Sequence, residues 1–258
     1  MTIHPDWLRP DWQADGVGAL MTTRRGGVSH APFDSCNLRA AVGDDPMAVA
    51  HNQRLLADAI GATPVYLNQV HGARVIRLDA HDARPGAPIH EADGSVTAEP
   101  RIACAVQVAD CLPVLFAAPG GRAVGAAHAG WRGLAAGVLE ATLAQVCEAA
   151  GCAPAEVQAW LGACIGPTQF EVGPDVLDAF GASPLAADSP RFAATGSGKW
   201  YADLPALARD RLRAAGVRAV GGGRWCTVSE PSRFFSFRRD RVTGRMAAMI
   251  WIDPGRPG

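Results

Sequence analysis

Long stretches of apolar residues, broken by short polar segments, dominate this chain and predict a fold rich in buried strands. The runs at 101–118 and 122–130 are almost continuously apolar, which is typical of strands buried on both faces. Pro113 interrupts the first run just after Cys111. Residues 80–93 are polar and predict a loop. Further strands are predicted at 16–24, 65–70, 73–79 and 157–166, with two or three more at 224–253.

Helical spacing of apolar residues predicts the remaining elements. Helices are predicted at 43–61, 133–151, 173–181 and 201–217. The first stops at Gly61, the second at Gly151, and the last begins near Asp203. Because helices and strands follow one another without a strict strand–helix–strand rhythm, we expect a mixed-sheet α+β or α/β fold. No change of composition marks a linker, which favours a single domain over 1–258 with an N-terminal arm of about 1–15.

Composition and charge exclude several classes of protein. A chain of 258 residues with 48% hydrophobic content can bury a large core. The net charge of -1 and the lack of a long basic block disfavour nucleic acid as a partner. No apolar run has the length of a membrane span, and none follows a basic start as in a secretion signal. The seven cysteines include no CxxC pair, so we expect free thiols in a reducing cytoplasm.

Three candidate metal ligands stand where an apolar run gives way to polar or small residues: His71, Cys111 and His128. If these runs are neighbouring strands, two imidazoles and one thiolate converge at one end of a sheet. Three protein ligands with a vacant fourth position are typical of catalytic rather than structural zinc. A cation held in this way can lower the pKa of bound water or polarise a substrate oxygen. The ligands are too far apart in sequence for a zinc finger, so the prediction depends on the coincidence of the three positions.

Other groupings of polar residues lead to different chemistry. Cys111 and His128 could form a thiol nucleophile and its base, with Asp110 or Asn68 orienting the imidazole. Asp110 is also a candidate for proton transfer. Candidates for binding a phosphate or carboxylate are Arg24, Arg54, Arg132 and Arg238, and candidates for stacking on a base are Trp131 and Phe170. Taken singly, such residues more commonly belong to surface ion pairs and to the core.

Eight motifs follow one another in the order found in one known family. They are MTTRRGGVS, FDSCNL, GDDP, NQVHG, ADCLPVLF, HAGWRG, LGACIGPTQFEVG and FFSFRRDRVTGRMA. On these motifs the chain resembles the laccase-domain family, whose members are also described as polyphenol oxidases, peptidoglycan-editing factors and purine nucleoside phosphorylases. The resemblance extends from about residue 16 to residue 253.

The resemblance carries specific expectations about fold and activity. It implies a layered α/β sandwich and places the family's metal site on His71, Cys111 and His128. It implies a zinc enzyme that performs phosphorolysis of adenosine, inosine, guanosine and methylthioadenosine, and deamination of adenosine. Bacterial members are also linked to the editing of peptidoglycan precursors, and copper-dependent oxidation of phenols has been assigned to the family.

The expected substrate contacts are less direct. Many relatives have an arginine at the position of Gln53, so Arg54 is the candidate to take over its role. Arg54 or Arg24 would supply positive charge during phosphorolysis. Asn37 and Asn68 are candidates for binding the sugar hydroxyls.

We therefore expect a zinc-dependent purine nucleoside phosphorylase with adenosine deaminase activity, acting on purine nucleosides and phosphate as a monomer or homodimer. One alternative is a copper-dependent polyphenol oxidase, because Cu²⁺ binds such ligands tightly, although the chain lacks the HxH pairs of a laccase cluster. A second is a metal-free Cys–His hydrolase or amidase acting on muropeptide precursors. A third is a non-enzymatic partner in cell-wall synthesis.

Overall fold

The computed structural model describes residues 3–182, 188–196 and 198–255. Its strands are β1 (Val17–Met21), β2 (Thr63–Val65), β3 (Val75–Arg77), β4 (Gly94–Thr97), β5 (Ile102–Val108), β6 (Leu112–Ala117), β7 (Val124–Ala129), β8 (Gln158–Leu161), β9 (Glu171–Val172), β10 (Asp188–Ser189), β11 (Phe192–Ala194), β12 (Trp200–Ala202), β13 (Ala219–Gly222) and β14 (Met246–Ile252). Its helices are α1 (Pro46–Ile60), α2 (Trp131–Ala135), α3 (Val138–Ala150), α4 (Pro174–Ala179), α5 (Leu204–Ala214) and α6 (Phe237–Asp240).

These strands form two larger mixed sheets and one small sheet. The four-stranded sheet has the order β1–β14–β5–β2, in which β2 runs parallel to β5 and the other neighbours are antiparallel. The six-stranded sheet has the order β13–β8–β6–β7–β4–β3, with parallel pairs at its two edges. The short antiparallel strands β10, β11, β12 and β9 form the small sheet. The predicted mixed-sheet α/β class is therefore confirmed.

The two larger sheets pack face to face, and helices cover their outer faces. Apolar residues that meet between the sheets include Val106, Leu115, Val124 and Ile250. Residues packed beneath α3 on the six-stranded sheet include Val114, Phe116, Leu139 and Val146. Residues packed beneath α1 on the four-stranded sheet include Leu56, Ile60, Ala105 and Met249. The order helix, sheet, sheet, helix confirms the expected layered sandwich.

Local sequence explains where the confirmed helices begin and end. The side chain of Asp45 accepts a hydrogen bond from the backbone N–H of Met47 at the start of α1, and Pro46 occupies its first turn. Gly61, with φ of 64°, ends this helix in the left-handed conformation that glycine adopts without strain. Asp203 caps α5 in the same way, through the N–H of Ala206. Both helices start where the sequence predicts.

The single helix predicted over 133–151 is wrong, because the structure has two helices there. Gly137 has φ of 93°, which interrupts the helical path between α2 and α3. The first helix also begins earlier than expected, at Trp131. The result is a short helix directly after Gly130, which places its first residues beside the end of β7.

The apolar run at 101–118 divides between the two larger sheets. Its first part forms β5 in the four-stranded sheet and its second part forms β6 in the six-stranded sheet. The break lies at Asp110, which has φ of 93°, and not at Pro113, which lies inside β6 opposite His128. The prediction that Pro113 interrupts the run is therefore wrong. The left-handed backbone of Asp110 turns the chain from one sheet into the other.

The C-terminal region contains fewer strands than predicted. Residues 224–253 form one strand, β14, which pairs with both β1 and β5, rather than two or three. The aromatic and charged segment before it forms α6, whose first turn is capped by Ser236 through the N–H of Arg239. Strand β4 follows the predicted loop directly, and its small residues gave no apolar pattern to predict it. No helix of the described residues is long and apolar enough to cross a bilayer.

Candidate metal centre

The predicted ligands lie at one end of the sandwich, on segments that join or border the two larger sheets. His71 lies on the connection from β2 to β3, and Cys111 lies on the connection from β5 to β6. Each connection leads from the four-stranded to the six-stranded sheet. His128 is the fifth residue of β7, in the six-stranded sheet. The sequence therefore folds so that three distant segments deliver their side chains to the same edge.

The three side chains are close enough to share one ion. Their ligand atoms all lie within 4.8 Å of one another, and Nε2 of His71 is 3.8 Å from Sγ of Cys111. In a tetrahedral zinc site, bonds of about 2.0–2.1 Å to nitrogen and about 2.3 Å to sulfur place these two atoms about 3.6 Å apart. The two imidazole rings meet edge to face, with centroids 4.9 Å apart. This donor set and its spacing fit a metal ion.

Asp93 holds both imidazole segments in place. Its Oδ1 lies 2.8 Å from Nδ1 of His128, so that Nε2 of this ring is left for an ion. The same carboxylate accepts hydrogen bonds from the backbone N–H groups of Val70, His71 and Gly72 at 3.1, 2.9 and 2.7 Å. A carboxylate behind a ligating histidine fixes its tautomer and raises its basicity. Asp93 is fully buried, and its pKa is held below the usual value because these hydrogen bonds outweigh its burial.

The thiol and the buried imidazole stabilise each other's charged forms in the metal-free protein. Burial acts to raise the pKa of Cys111, but the charge of His128 and hydrogen bonds from both imidazoles bring this pKa to about 6. Burial acts to lower the pKa of His128, but the charge of Cys111 and the hydrogen bond to Asp93 raise this pKa to about 9. Cys111 is half-buried, whereas His71 is exposed. The sulfur is therefore a thiolate at neutral pH, which is the form that binds metals and attacks electrophiles.

Asp110, which precedes Cys111, is held by other partners. Its Oδ1 accepts a hydrogen bond from Oγ1 of Thr227 at 2.6 Å, and its Oδ2 accepts one from the backbone N–H of Arg238 at 2.7 Å. The carboxylate that orients His128 is Asp93. Sequence reasoning missed Asp93 because it ends a polar stretch and precedes a strand of small residues, with no periodic pattern around it.

A cavity of about 320 Å³ opens beside Cys111. Its walls include three aromatic residues, three arginines and Asp110. The aromatic and cationic residues are Trp131, Phe170, Phe237, Arg132, Arg238 and Arg241. Four of these six are sequence candidates, while Phe237 and Arg241 were missed because their segment was assigned to strands. The only signal for them is the alternation of aromatic and charged residues in FFSFRRDR.

The remaining sequence candidates lie outside this cavity wall. Arg54 is exposed on α1, and Arg24 bonds to Asp34 and to the carbonyl of Pro231. Asn37 is buried, and its amide is bonded to protein groups on both its oxygen and its nitrogen. Asn68 lines a separate cavity of about 540 Å³. The structure thus brings together His71, Cys111, His128 and Asp110, but not the other four.

The family model described as multi-copper polyphenol oxidoreductase laccase matches residues 18–253. The chain belongs to this family. The match confirms the resemblance that the eight motifs indicate, and it includes the positions of all three candidate ligands.

Relatives in the laccase family carry another name. A protein from Pseudomonas aeruginosa, named purine nucleoside phosphorylase, is 49% identical over 95% of this chain and 98% of its own. The Escherichia coli protein named purine nucleoside phosphorylase YfiH is 48% identical over 97% of this chain and 98% of its own. Among solved structures, a Neisseria meningitidis protein matches with a TM-score of 0.88 at 47% identity, over 96% of this chain and 99% of that one. The structure of YlmD from Geobacillus stearothermophilus matches with a TM-score of 0.84 at 35% identity, over 94% of this chain and 93% of that one.

Proposed function

We propose that this protein is a zinc-dependent purine nucleoside phosphorylase with adenosine deaminase activity. The observation that carries the proposal is the meeting of His71, Cys111 and His128 beside a cavity with aromatic and cationic walls. Aromatic faces suit a purine base, and guanidinium groups suit phosphate. The names of the relatives from Pseudomonas aeruginosa and Escherichia coli support the same reaction class.

Zinc is the proposed metal, although the donor set also suits Cu²⁺. Two imidazoles and a thiolate with an open fourth position are typical of catalytic zinc. Among the described residues there is one group of this kind, formed by His71, Cys111 and His128, whereas a multi-copper cluster requires further ligand groups. When bound, the cation supplies Lewis acidity to an oxygen of the reactants. The proposed compartment is the cytoplasm, which keeps the Cys111 thiol reduced.

The chain's own groups would then bind and orient the reactants. In phosphorolysis a phosphate oxygen forms a bond to C1′ of the ribose while the bond from C1′ to the base breaks, and the base leaves with the electron pair and takes up a proton. Asp110 is the proposed proton-transfer group, because it lines the cavity next to Cys111. In deamination, water adds to the ring carbon that carries the amino group, and ammonia leaves. The proposed substrate contacts do not include Arg24, Arg54, Asn37 or Asn68, which lie outside this cavity wall.

A metal-defined assay tests the proposal. Protein loaded with one equivalent of Zn²⁺ should release base from adenosine, inosine or methylthioadenosine only when phosphate is present. The Cys111→Ala variant should lose both this activity and stoichiometric zinc, because a thiolate ligand is missing. Cys152→Ala is the matched control, since Cys152 is also a half-buried free thiol but lies outside the ligand group. Full turnover in folded Cys111→Ala protein would refute the scheme.

A metal-free hydrolase or amidase acting on muropeptide precursors is a second candidate. The mutual stabilisation of the Cys111 thiolate and the His128 imidazolium favours it, because this pair resembles a thiol nucleophile and its base. Activity that survives a strong chelator, with no base release from any nucleoside, would favour this reading over phosphorolysis.

A further inference from the structure

We propose that the cavity beside Cys111 contains a phosphate site formed by Arg132 and Arg241. The two residues come from different segments, since Arg132 lies in α2 and Arg241 directly follows α6. Both line the same cavity. The inference deepens the proposed phosphorolysis, on which the identity of the anion as a co-substrate rests.

Each arginine of this cavity lies against an aromatic ring that lines the same cavity. The guanidinium carbon of Arg132 is 4.3 Å from the ring centroid of Trp131. The corresponding distance is 5.6 Å for Arg238 over Phe170 and 5.8 Å for Arg241 over Phe237. Contact with a ring face occupies the flat surface of a guanidinium but leaves its N–H edge available for two parallel hydrogen bonds to an oxyanion.

The cationic groups of Arg132 and Arg241 are not neutralised by nearby acids. Within the described part of the chain, neither has a carboxylate partner or a side-chain hydrogen bond. Arg238 differs, because its Nη1 donates to the carbonyl of Glu171 and its backbone N–H donates to Asp110. We therefore assign phosphate to the first two arginines and a supporting role to the third.

The local charge balance also favours an anion. Asp110 is the one acidic residue that the described part of the chain contributes to the cavity wall, and both of its carboxylate oxygens already accept hydrogen bonds. Three guanidinium groups against this carboxylate and the Cys111 thiolate still give these wall residues a net positive charge. A volume of about 320 Å³ is at the lower end of the range for small-molecule sites, roughly 300–1,000 Å³.

Backbone strain occurs at the same place. Among the described residues, four that are not glycine have positive φ, and three of these are His71, Asp110 and Arg241. Arg241 has φ of 63° and ψ of -59°, a conformation that is strained for a residue with a side chain. Such strain concentrates where the surrounding structure must hold a side chain in one position for function. The conformation of Arg241 therefore supports its assignment to the ligand site.

The experiment compares Arg241→Gln and Arg132→Gln with the wild-type protein, all loaded with zinc. Inorganic phosphate is the probe, and binding is measured by calorimetry and by broadening of the ³¹P resonance. Each variant should bind phosphate on the order of tenfold more weakly, because a charge-assisted hydrogen bond is lost. Arg241→Lys, which keeps the charge, should recover part of the affinity. Zinc content and the melting temperature should match wild type in all three variants.

Kinetics provide a second readout that a purely structural role would not move. The KM for phosphate should rise on the order of tenfold in Arg241→Gln, whereas the KM for the nucleoside should change little. Deamination of adenosine consumes water rather than phosphate, so its rate should fall less than the rate of phosphorolysis in the same variant. The matched control is Arg224→Gln, because Arg224 also lies over an aromatic ring, 4.7 Å from that of Trp225, but outside the cavity.

The possible results separate this proposal from the proposed function. If wild-type protein binds phosphate through Arg132 and Arg241 but releases base from no nucleoside, the anion site stands and phosphorolysis fails. If wild-type protein binds no phosphate, or if folded Arg132→Gln and Arg241→Gln both bind it as tightly as wild type, the anion site is refuted whatever the activity.

Discussion

Two cysteines from one apolar run have very different thiol pKa values, because one lies in the interior of the sandwich and the other lies at its edge. Cys104 lies in the middle of β5, fully buried between the two larger sheets, where burial raises its thiol pKa to about 12. Cys111 lies where the run turns from β5 into β6, and two imidazoles bring its pKa to about 6. Hydrophobicity of the run does not distinguish them. The chain break and the residues that meet there decide which thiol is chemically active.

The surroundings of the two sulfurs differ in polarity and in backbone conformation. Cys104 belongs to the apolar cluster between the two larger sheets, and its Sγ is 3.9 Å from the carbonyl oxygen of Val124 on the facing sheet. The edge near Cys111 has His71 and Asp110 at positive φ and a buried carboxylate, Asp93, behind the ligands. Close packing stabilises the surroundings of Cys104, whereas hydrogen bonds and strained turns position the residues around Cys111.

The largest expected contrast is the rate of alkylation in metal-free protein. Only the thiolate reacts, so modification of Cys111 by iodoacetamide should rise with pH to a plateau, with a midpoint of about 6. Cys104 should remain unmodified at neutral pH, because its pKa of about 12 leaves it protonated. Peptide mapping distinguishes these two from the half-buried Cys152 and Cys226. Loading with Zn²⁺ should protect Cys111, and a midpoint near that of an ordinary thiol would remove the basis of the contrast.

A smaller effect is expected from the carboxylate behind the ligands. Asp93→Asn should weaken zinc binding by about 10- to 100-fold, because the histidine loses the partner that fixes its tautomer. Competition with a chelating dye measures this affinity. The chain offers a second pair of the same type, in which Asp82 lies 2.6 Å from Nε2 of His90 and also accepts a backbone N–H bond.

Asp82→Asn is therefore the control for Asp93→Asn, since Asp82 lies outside the ligand group. It should leave zinc affinity unchanged. Equal affinities in the two variants would show that Asp93 supports only the fold.

The smallest expected effect comes from added volume at the ligand edge. A Cβ at Gly130 would lie 3.0 Å from Sγ of Cys111 and 3.0 Å from Cδ2 of His71. Gly130→Ala should therefore displace a ligand slightly and weaken zinc binding about fivefold, equivalent to about 1 kcal/mol. Gly72→Ala is the matched control, because its Cβ would meet no atom closer than Oδ2 of Asp93 at 3.6 Å. A larger loss of zinc affinity in Gly72→Ala than in Gly130→Ala would contradict the steric explanation for the Gly130 variant.

The sequence reveals the three candidate ligands more readily than the carboxylate that supports them. His71, Cys111 and His128 stand at visible breaks in apolar runs, and strand ends that share a sheet edge bring such residues together. Asp93 carries no comparable signal, because its importance comes from three backbone N–H groups that converge on it only after folding. Contacts between residues that are far apart in the sequence likewise leave no signal in local sequence patterns.

The same limit explains which elements of the fold were predicted. Caps and periodic apolar residues define α1 and α5 within the sequence itself. The division of 101–118 between two sheets depends on the φ of a single residue, Asp110, which apolar periodicity does not reveal. Residues 224–253 contain several aromatic residues, which favour strands, but most of the segment instead forms loops and α6. Three of its residues, Phe237, Arg238 and Arg241, line the cavity.

The two crossovers that carry His71 and Cys111 both begin in the four-stranded sheet and end in the six-stranded sheet, where His128 already lies. An ion bound by His71, Cys111 and His128 would therefore cross-link the two larger sheets at one end of the sandwich. Any sliding of the four-stranded sheet against the six-stranded sheet would then stretch the bonds between the ion and its ligands. Binding of the ion would therefore stiffen the sandwich, and loss of the ion would loosen it.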